Sequence, residues 1–199
     1  MDPRTSIPLY PEQASTYAPQ HDILFGILTA LTVIFTIIVF LMVLTFVNKY
    51  RRGRPADRSN PVNDHLKVEL TWTIIPLILA LGVYTYSAYL YVGVRTFPKN
   101  AAEVFVIGKQ WMWHIQHANG IRENNELTVP VGVPTKLTMI SQDVIHAFYV
   151  PAFRMQYHVT PGRYTAQWFE ATKPGRYHLF CTIHCGNQHS EMVGYVNVL

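Results

Sequence analysis

FCTIHCGNQHSEM, residues 180–192, carries both cysteines of the chain together with two histidines and a methionine. The runs on either side, GRYHLFC (175–181) and GYVNVL (194–199), are short and rich in β-branched and aromatic residues, so they read as strands. The cluster is therefore a loop joining two strands. At the end of a sandwich such a loop can turn several side chains onto one point while the sheets hold its ends. Two cysteines in an oxidising compartment would, by composition alone, be a disulfide. Structural zinc is normally announced by Cys-x-x-Cys pairs, which this sequence lacks. The order Cys181, Cys185, His189, Met192 instead groups thiolate, imidazole and thioether, the ligand set of copper electron-transfer sites.

A single blue copper needs one cysteine, so a second thiolate asks for a second metal ion. Each ion would then take one histidine and one weaker ligand, and another histidine must come from elsewhere. His146, in SQDVIHAFYVPAF (141–153), begins an earlier strand and is the best candidate. His178 alternates with Tyr177 and Leu179 in a strand and reads as a surface or core position. His184 sits between Ile183 and Cys185 and breaks the period of the other ligands. His114, His117 and His158 read as surface or turn residues, and His21 and His65 flank the apolar stretches described next.

Outward from the loop, the chain after about residue 95 is a series of alternating apolar runs separated by turn signals such as HANG, VTPG and TKPG. EVFVIGKQWMWHIQ, ELTVPVGVPTKLTMI, VIHAFYVP and RYTAQWFEA join the two runs already named. This spacing predicts an antiparallel sandwich or barrel of Greek-key type. No helix of useful length and no internal repeat is read there.

The first half differs. The chain is 49% hydrophobic and 14% charged over 199 residues, and two stretches, 23–47 and 70–94, contain no charged side chain. As helices of roughly 25 residues they would be about 37 Å long, enough to cross a bilayer with some tilt. Signal peptides have a shorter apolar region, and two full spans in tandem argue against one. The loop between the spans carries Lys49, Arg51, Arg52, Arg54, Arg58 and Lys67, whereas only Arg4 precedes the first span. The positive-inside rule puts this loop in the cytoplasm and both termini on the outer side. The net charge of +4 is largely this loop, a topology signal and not a nucleic-acid footprint.

With these residues in view, the chain resembles subunit II of the haem-copper cytochrome c oxidases. Besides the cysteine loop, the resemblance rests on VELTWTIIPLILAL (68–81), GKQWMWHIQ (108–116), DVIHAFYVPAFRM (143–155) and TPGRY (160–164). It implies a membrane α-helical hairpin followed by an all-β cupredoxin-like Greek-key sandwich. The hairpin with its N-terminal tail would occupy residues 1–97 and the extracytoplasmic domain residues 98–199. It also implies a binuclear copper centre, CuA, with His146 and His189 as terminal imidazoles and Cys181 and Cys185 as bridging thiolates. Met192 and the backbone carbonyl of Ile183 would be the weak axial ligands. Trp111 matches the aromatic where electrons arrive from cytochrome c, and Glu69 the glutamate at the mouth of a proton path.

The resemblance further implies a c-type cytochrome donor, haems and CuB in a catalytic subunit I, and reduction of oxygen to water coupled to proton translocation. The setting would be the bacterial inner membrane. Three departures qualify this. Ile183 stands where relatives have a glutamate that helps hold an interfacial magnesium, so the magnesium does not carry over. Gln156 and His158 stand where a lysine and an aspartate are common. The outer domain has no acidic cluster to steer a basic cytochrome: Glu103, Glu123, Glu126, Asp143, Glu170 and Glu191 face Lys109, Arg122, Lys136, Arg154, Arg163, Lys173 and Arg176. A donor tethered to the membrane or held in a supercomplex is expected instead. The rival readings are the CuA subunit of a nitric oxide reductase and a membrane-anchored copper carrier.

Overall fold

The structure, a computed structural model, describes residues 11–57, 59 and 64–199. Arg4 and Arg58, two of the charges used for orientation, lie outside the described residues, as does the start of the N-terminal tail. The described chain divides into a helical unit, Asp22–Leu90, and a unit built from residues 11–21 and 91–199.

Helix α1 spans Ala18–Tyr50 and α2 spans Leu66–Arg95. Both extend past the uncharged stretches, because helix geometry continues where the apolar run stops: Lys49 lies in the last turn of α1, Glu69 in the first turn of α2 and Arg95 in its last. Their apolar side chains remain exposed, and both helices are long and apolar enough to cross a membrane. Within them Thr32, Thr45, Thr71, Thr85 and Ser87 each donate a hydroxyl hydrogen bond to the carbonyl four residues earlier. No side-chain hydroxyl at these positions is left facing hydrocarbon without a partner.

Ten strands among the described residues form two five-stranded sheets. They are β1 (Ala102–Lys109), β2 (Met112–His117), β3 (Arg122–Asn124), β4 (Glu126–Val129), β5 (Thr135–Ser141), β6 (His146–Val150), β7 (Met155–Val159), β8 (Thr165–Phe169), β9 (Gly175–Cys181) and β10 (Val193–Val198). The order is β3-β2-β1-β5-β8 in one sheet and β4-β10-β9-β6-β7 in the other. Inward residues alternate along most of the strands, and Trp113, Phe148, Leu127, Leu137, Met139, Leu179 and Val196 fill one apolar layer between the sheets.

Two details depart from the expected antiparallel pattern. Strands β1 and β5 pair in parallel, as do β4 and β10, while the other ladders are antiparallel. The run EVFVIGKQWMWHIQ is also two strands, β1 and β2, folded back on each other with Lys109 opposite Met112. A tight turn with no Gly, Pro or Asn left no mark in the sequence.

The segment before α1 packs on the sandwich. Ala14, Ser15 and Ala18 are buried. The Ala14 and Thr16 amides donate to the carbonyls of Ala152 and Glu170, the Thr172 amide donates to the Ala14 carbonyl, and Ser15 Oγ donates to the Phe153 carbonyl at 2.9 Å. The sequence groups this tail with the hairpin, and its backbone forms a bridge to Ala171 of the sandwich unit.

Candidate metal centre

The start of β6, the end of β9, the start of β10 and the β1–β2 turn lie at one end of the sandwich, and the pairing of Phe148 with Cys181 and of Val193 with Phe180 fixes their register. His146 is the first residue of β6 and fully buried; Cys181 is the last residue of β9. Between β9 and β10 the loop brings Cys185 and Met192 inward, both buried, while His189 opens a short 3-10 turn and is half-buried. Gly186, with φ +120°, makes the turn directly after Cys185, a backbone state that favours glycine.

The two cysteines are free, with sulfurs 3.8 Å apart, far beyond the roughly 2.05 Å of a disulfide. Cys181 Sγ lies 3.9 Å from His146 Nδ1 and 3.2 Å from the Ile183 carbonyl oxygen. Cys185 Sγ lies 3.4 Å from His189 Nδ1 and 3.8 Å from Met192 Sδ. Each sulfur thus has one imidazole nitrogen and one weak donor beside it. The ligand atoms of His146, Cys181 and Cys185 all fall within 4.8 Å of one another. All six positions named from the sequence therefore meet at this one place.

His146 uses its far nitrogen elsewhere: Nε2 lies 2.8 Å from Asp143 Oδ1. With Nε2–H donating to the carboxylate, Nδ1 carries the lone pair and faces the sulfurs. Asp143 is itself held, accepting from the Gln110 amide at 2.7 Å and the Val144 amide at 2.7 Å. Burial works to lower the His146 pKa, but Cys181 and Asp143 outweigh it and raise it above the usual histidine value. Burial also opposes ionisation of Cys181, yet hydrogen bonding by His146 and by the backbone at Ala147 and Ile183 brings that thiol below its ordinary value. Cys185, buried beside Cys181, is pushed up to about 12.

Trp111 sits in the β1–β2 turn, partly buried against the core, and its Nε1–H donates to the Cys185 carbonyl at 3.2 Å. The tryptophan that fills the sandwich core is its neighbour Trp113, fully buried and in edge contact with His146 and Phe148. Glu69 belongs to the helical unit, where its carboxylate accepts the His65 amide at 3.3 Å and caps the first turn of α2. His184 is exposed, with its ring 5.6 Å from that of His189. His178 stacks on Phe180, while His114 and His117 are engaged by Asn124 and Glu123.

Asp143, Gln110, Gly186 and Gly108 were not singled out from the sequence as site residues. A Cβ on Gly108 would stand 3.0 Å from His146 Cδ2, so glycine there makes room for the ring. The Asp-x-x-His spacing of 143 and 146 was the one readable signal, since three residues place a carboxylate back over a ring at a strand start.

The donor set fits a copper pair. A metal–thiolate bond is about 2.3 Å, so sulfurs 3.8 Å apart can both reach one ion, and the two imidazoles and two weak donors divide evenly between two ions. Sulfur and imidazole ligands in a buried cage are the chemistry of soft copper and exclude a hard, oxygen-liganded cation.

Fold and site together define a membrane-anchored, cupredoxin-type sandwich carrying a buried sulfur–imidazole centre. The family model for the cytochrome c oxidase subunit II periplasmic domain matches residues 78–198, and that for the subunit II transmembrane domain matches residues 9–90. The chain belongs to the cytochrome c oxidase subunit II family. Cytochrome c oxidase subunit 2 of Alkalihalophilus pseudofirmus is 32% identical over 166 residues, covering 79% of this chain and 48% of the relative, so the chain spans about half of that protein's length. Subunit 2 of Thermostichus vulcanus is 28% identical over 239 residues, with 92% of this chain and 72% of the relative covered. The crystal structure of the periplasmic domain of subunit II of cytochrome oxidase from Bradyrhizobium japonicum aligns at 29% identity with a TM-score of 0.50, over 52% of this chain and 88% of that one. A chain of a haem-copper terminal oxidase dimer, at 23% identity and a TM-score of 0.51, covers 67% of this chain and 99% of its own length and shares the fold.

Proposed function

We propose that this chain is the electron-input subunit of a haem-copper oxidase, holding a binuclear copper centre between Cys181, Cys185, His146, His189, Met192 and the Ile183 carbonyl. One observation carries the reading: two unbonded sulfurs 3.8 Å apart, each flanked by one imidazole nitrogen and one weak donor. When bound, the copper pair supplies one-electron carriage.

The chain's residues supply the setting. Strands β6, β9 and β10 fix the ligands at both ends, so little geometry changes between oxidation states. Cys181, Cys185, Met192 and His146 are buried, and water is kept from the sulfurs. Trp111, bonded to the Cys185 carbonyl and partly exposed, is the point where a c-type cytochrome delivers its electron. In such an assembly the copper pair would supply the electron to haem in a catalytic subunit I, which would reduce oxygen to water with proton translocation. In this reading the membrane is the bacterial inner membrane, both termini face the periplasm, and Glu69 stands at the cytoplasmic mouth of a proton path.

The donor is membrane-tethered or held in a permanent complex. Several of the few carboxylates on the sandwich are already engaged: Glu103 by Lys136, Glu126 by Arg176, Glu123 by His117 and Asp143 by His146. Little free negative charge is left to steer a soluble basic partner. Turnover with free cytochrome c that fell steeply with added salt would contradict this.

The test uses the full chain in detergent, because residues 14–18 are part of the outer unit's packing. After reconstitution with Cu(II), metal counting and electron paramagnetic resonance should give about two coppers per chain sharing one unpaired spin. One copper, or none with the thiols oxidised to each other, would overturn the reading. Assay of the copurified complex with oxygen and with nitric oxide then separates an oxidase from a nitric oxide reductase, and reversible binding of a single Cu(I) marks a carrier.

A further inference from the structure

Gln110 lies outside the ligand set, yet it touches both halves of the centre. Its backbone amide donates to Asp143 Oδ2 at 2.7 Å, and Asp143 Oδ1 takes the Nε2–H of His146 at 2.8 Å. Its side-chain Nε2 donates to the Cys185 carbonyl at 2.7 Å, the same oxygen that accepts the Trp111 indole at 3.2 Å. The ligands come from segments far apart in sequence: His146 from β6, and Cys185, His189 and Met192 from the loop after β9. One residue in the β1–β2 turn joins both.

We propose that Gln110 is a positioning residue that locks the 185–189 loop to the histidine strand, so that the cysteine cage is closed before any metal arrives. The proposal concerns the polypeptide and rests on the copper-centre reading only for what the closed cage is for.

Three features support it. The loop has little regular structure of its own, and one short 3-10 turn, His189–Glu191, is its only helical element. The Cys185 carbonyl takes two side-chain donors, both from the β1–β2 turn, and a backbone carbonyl in a partly buried place needs such partners. Gly186 also carries no Cβ, and one placed there would stand 2.9 Å from Gln110 Nε2 and 3.2 Å from the Trp111 ring. The loop backbone and the turn are therefore fitted to each other at hydrogen-bond distance. Trp111, the adjacent residue, is held against the same loop by the same acceptor, which fixes its indole relative to Cys185.

The test is made on the metal-free full chain in detergent with reduced cysteines. Gln110→Met keeps the length of the side chain and removes the donor. Because both thiols are buried, their reaction with a small aromatic disulfide reports opening of the loop. The modification rate and the amide exchange of residues 185–189 should each rise about three- to tenfold, the size that one net hydrogen bond supports. The far-ultraviolet circular dichroism should not change. Trp111→Phe, which removes only the longer bond to the same carbonyl, should have the smaller effect.

Unchanged rates in a folded Gln110→Met chain would overturn the proposal. Should that variant not fold, the wild type carries the test: the Gln110 side-chain amide protons should exchange slowly by nuclear magnetic resonance, and free exchange there would overturn it equally. Copper counting on the wild type, run in parallel, reports on the metal centre alone, so failure of that reading and failure of the Gln110 lock are told apart.

Discussion

The carboxylate of Asp143 lies 2.8 Å from Nε2 of His146 and leaves Nδ1 of the same ring facing Cys181 Sγ at 3.9 Å. The aspartate thus decides which nitrogen is offered to a metal, and it does so from the bend before β6, with its carboxylate held by two backbone amides.

Replacing Asp143 by asparagine keeps the shape and removes the charge that favours a proton on Nε2. Outer partners of a metal-bound histidine are typically worth about 10- to 100-fold in metal affinity. Asp143→Asn should lower copper affinity by that order in a chelator competition, with the sandwich still folded by circular dichroism. Equal affinity in variant and wild type would mean the ring is held by Trp113 packing alone.

Gly194 is the tightest glycine in the chain. A Cβ there would stand 2.3 Å from the Asn125 carbonyl oxygen, a backbone atom that cannot swing away. The residue lies in β10 two positions after Met192, so strain there reaches the side chain beside Cys185. Gly194→Ala should destabilise by about 1–3 kcal/mol, as overpacking does, and lower the thermal midpoint. Gly82→Ala, with nothing within 4 Å of the added carbon, serves as a control for glycine replacement as such.

How far these features were legible in the sequence differs by element. The two apolar runs announced helices, but hydropathy measures the lipid-facing part, so α1 and α2 exceed 23–47 and 70–94 by the turns that hold Lys49, Glu69 and Arg95. Alternation marked most strands. It could not mark the parallel pairing of β1 with β5, because that depends on which distant segment closes the sheet. The cluster of sulfur and imidazole donors was readable from type and spacing, and the placing of His146 beside it from the need for a second imidazole. Gln110 was not, because its role depends on where the Cys185 carbonyl points, and side-chain pattern carries no record of that.

Glu123 ties β3 to β4. It accepts from the Thr128 amide at 2.9 Å, Thr128 Oγ1 at 2.6 Å and His117 Nε2 at 2.7 Å. Partial burial opposes its ionisation, but these hydrogen bonds prevail and hold its pKa below the ordinary glutamate value. A group depressed in the folded state contributes stability that is present above the unfolded pKa and lost as pH falls through the folded one. Glu123→Gln should therefore lower the thermal midpoint at neutral pH, and its deficit should shrink as pH drops below about 4. A deficit independent of pH would show that the carboxylate charge contributes nothing.

Trp111 Nε1–H donates to the Cys185 carbonyl at 3.2 Å. Phenylalanine at 111 keeps an aromatic ring in the turn and removes the N–H that reaches the loop. If the indole serves electron arrival, Trp111→Phe should slow electron uptake from a c-type cytochrome by about fivefold or more, taking one net hydrogen bond as the least that is lost. The paramagnetic resonance signature should stay that of the wild type, because no ligand is altered. A changed signature with unchanged uptake would make Trp111 a structural prop for the loop. The same uptake rate in both, with the same signature, would move the point of arrival to another residue, with exposed His184 beside His189 the first to examine.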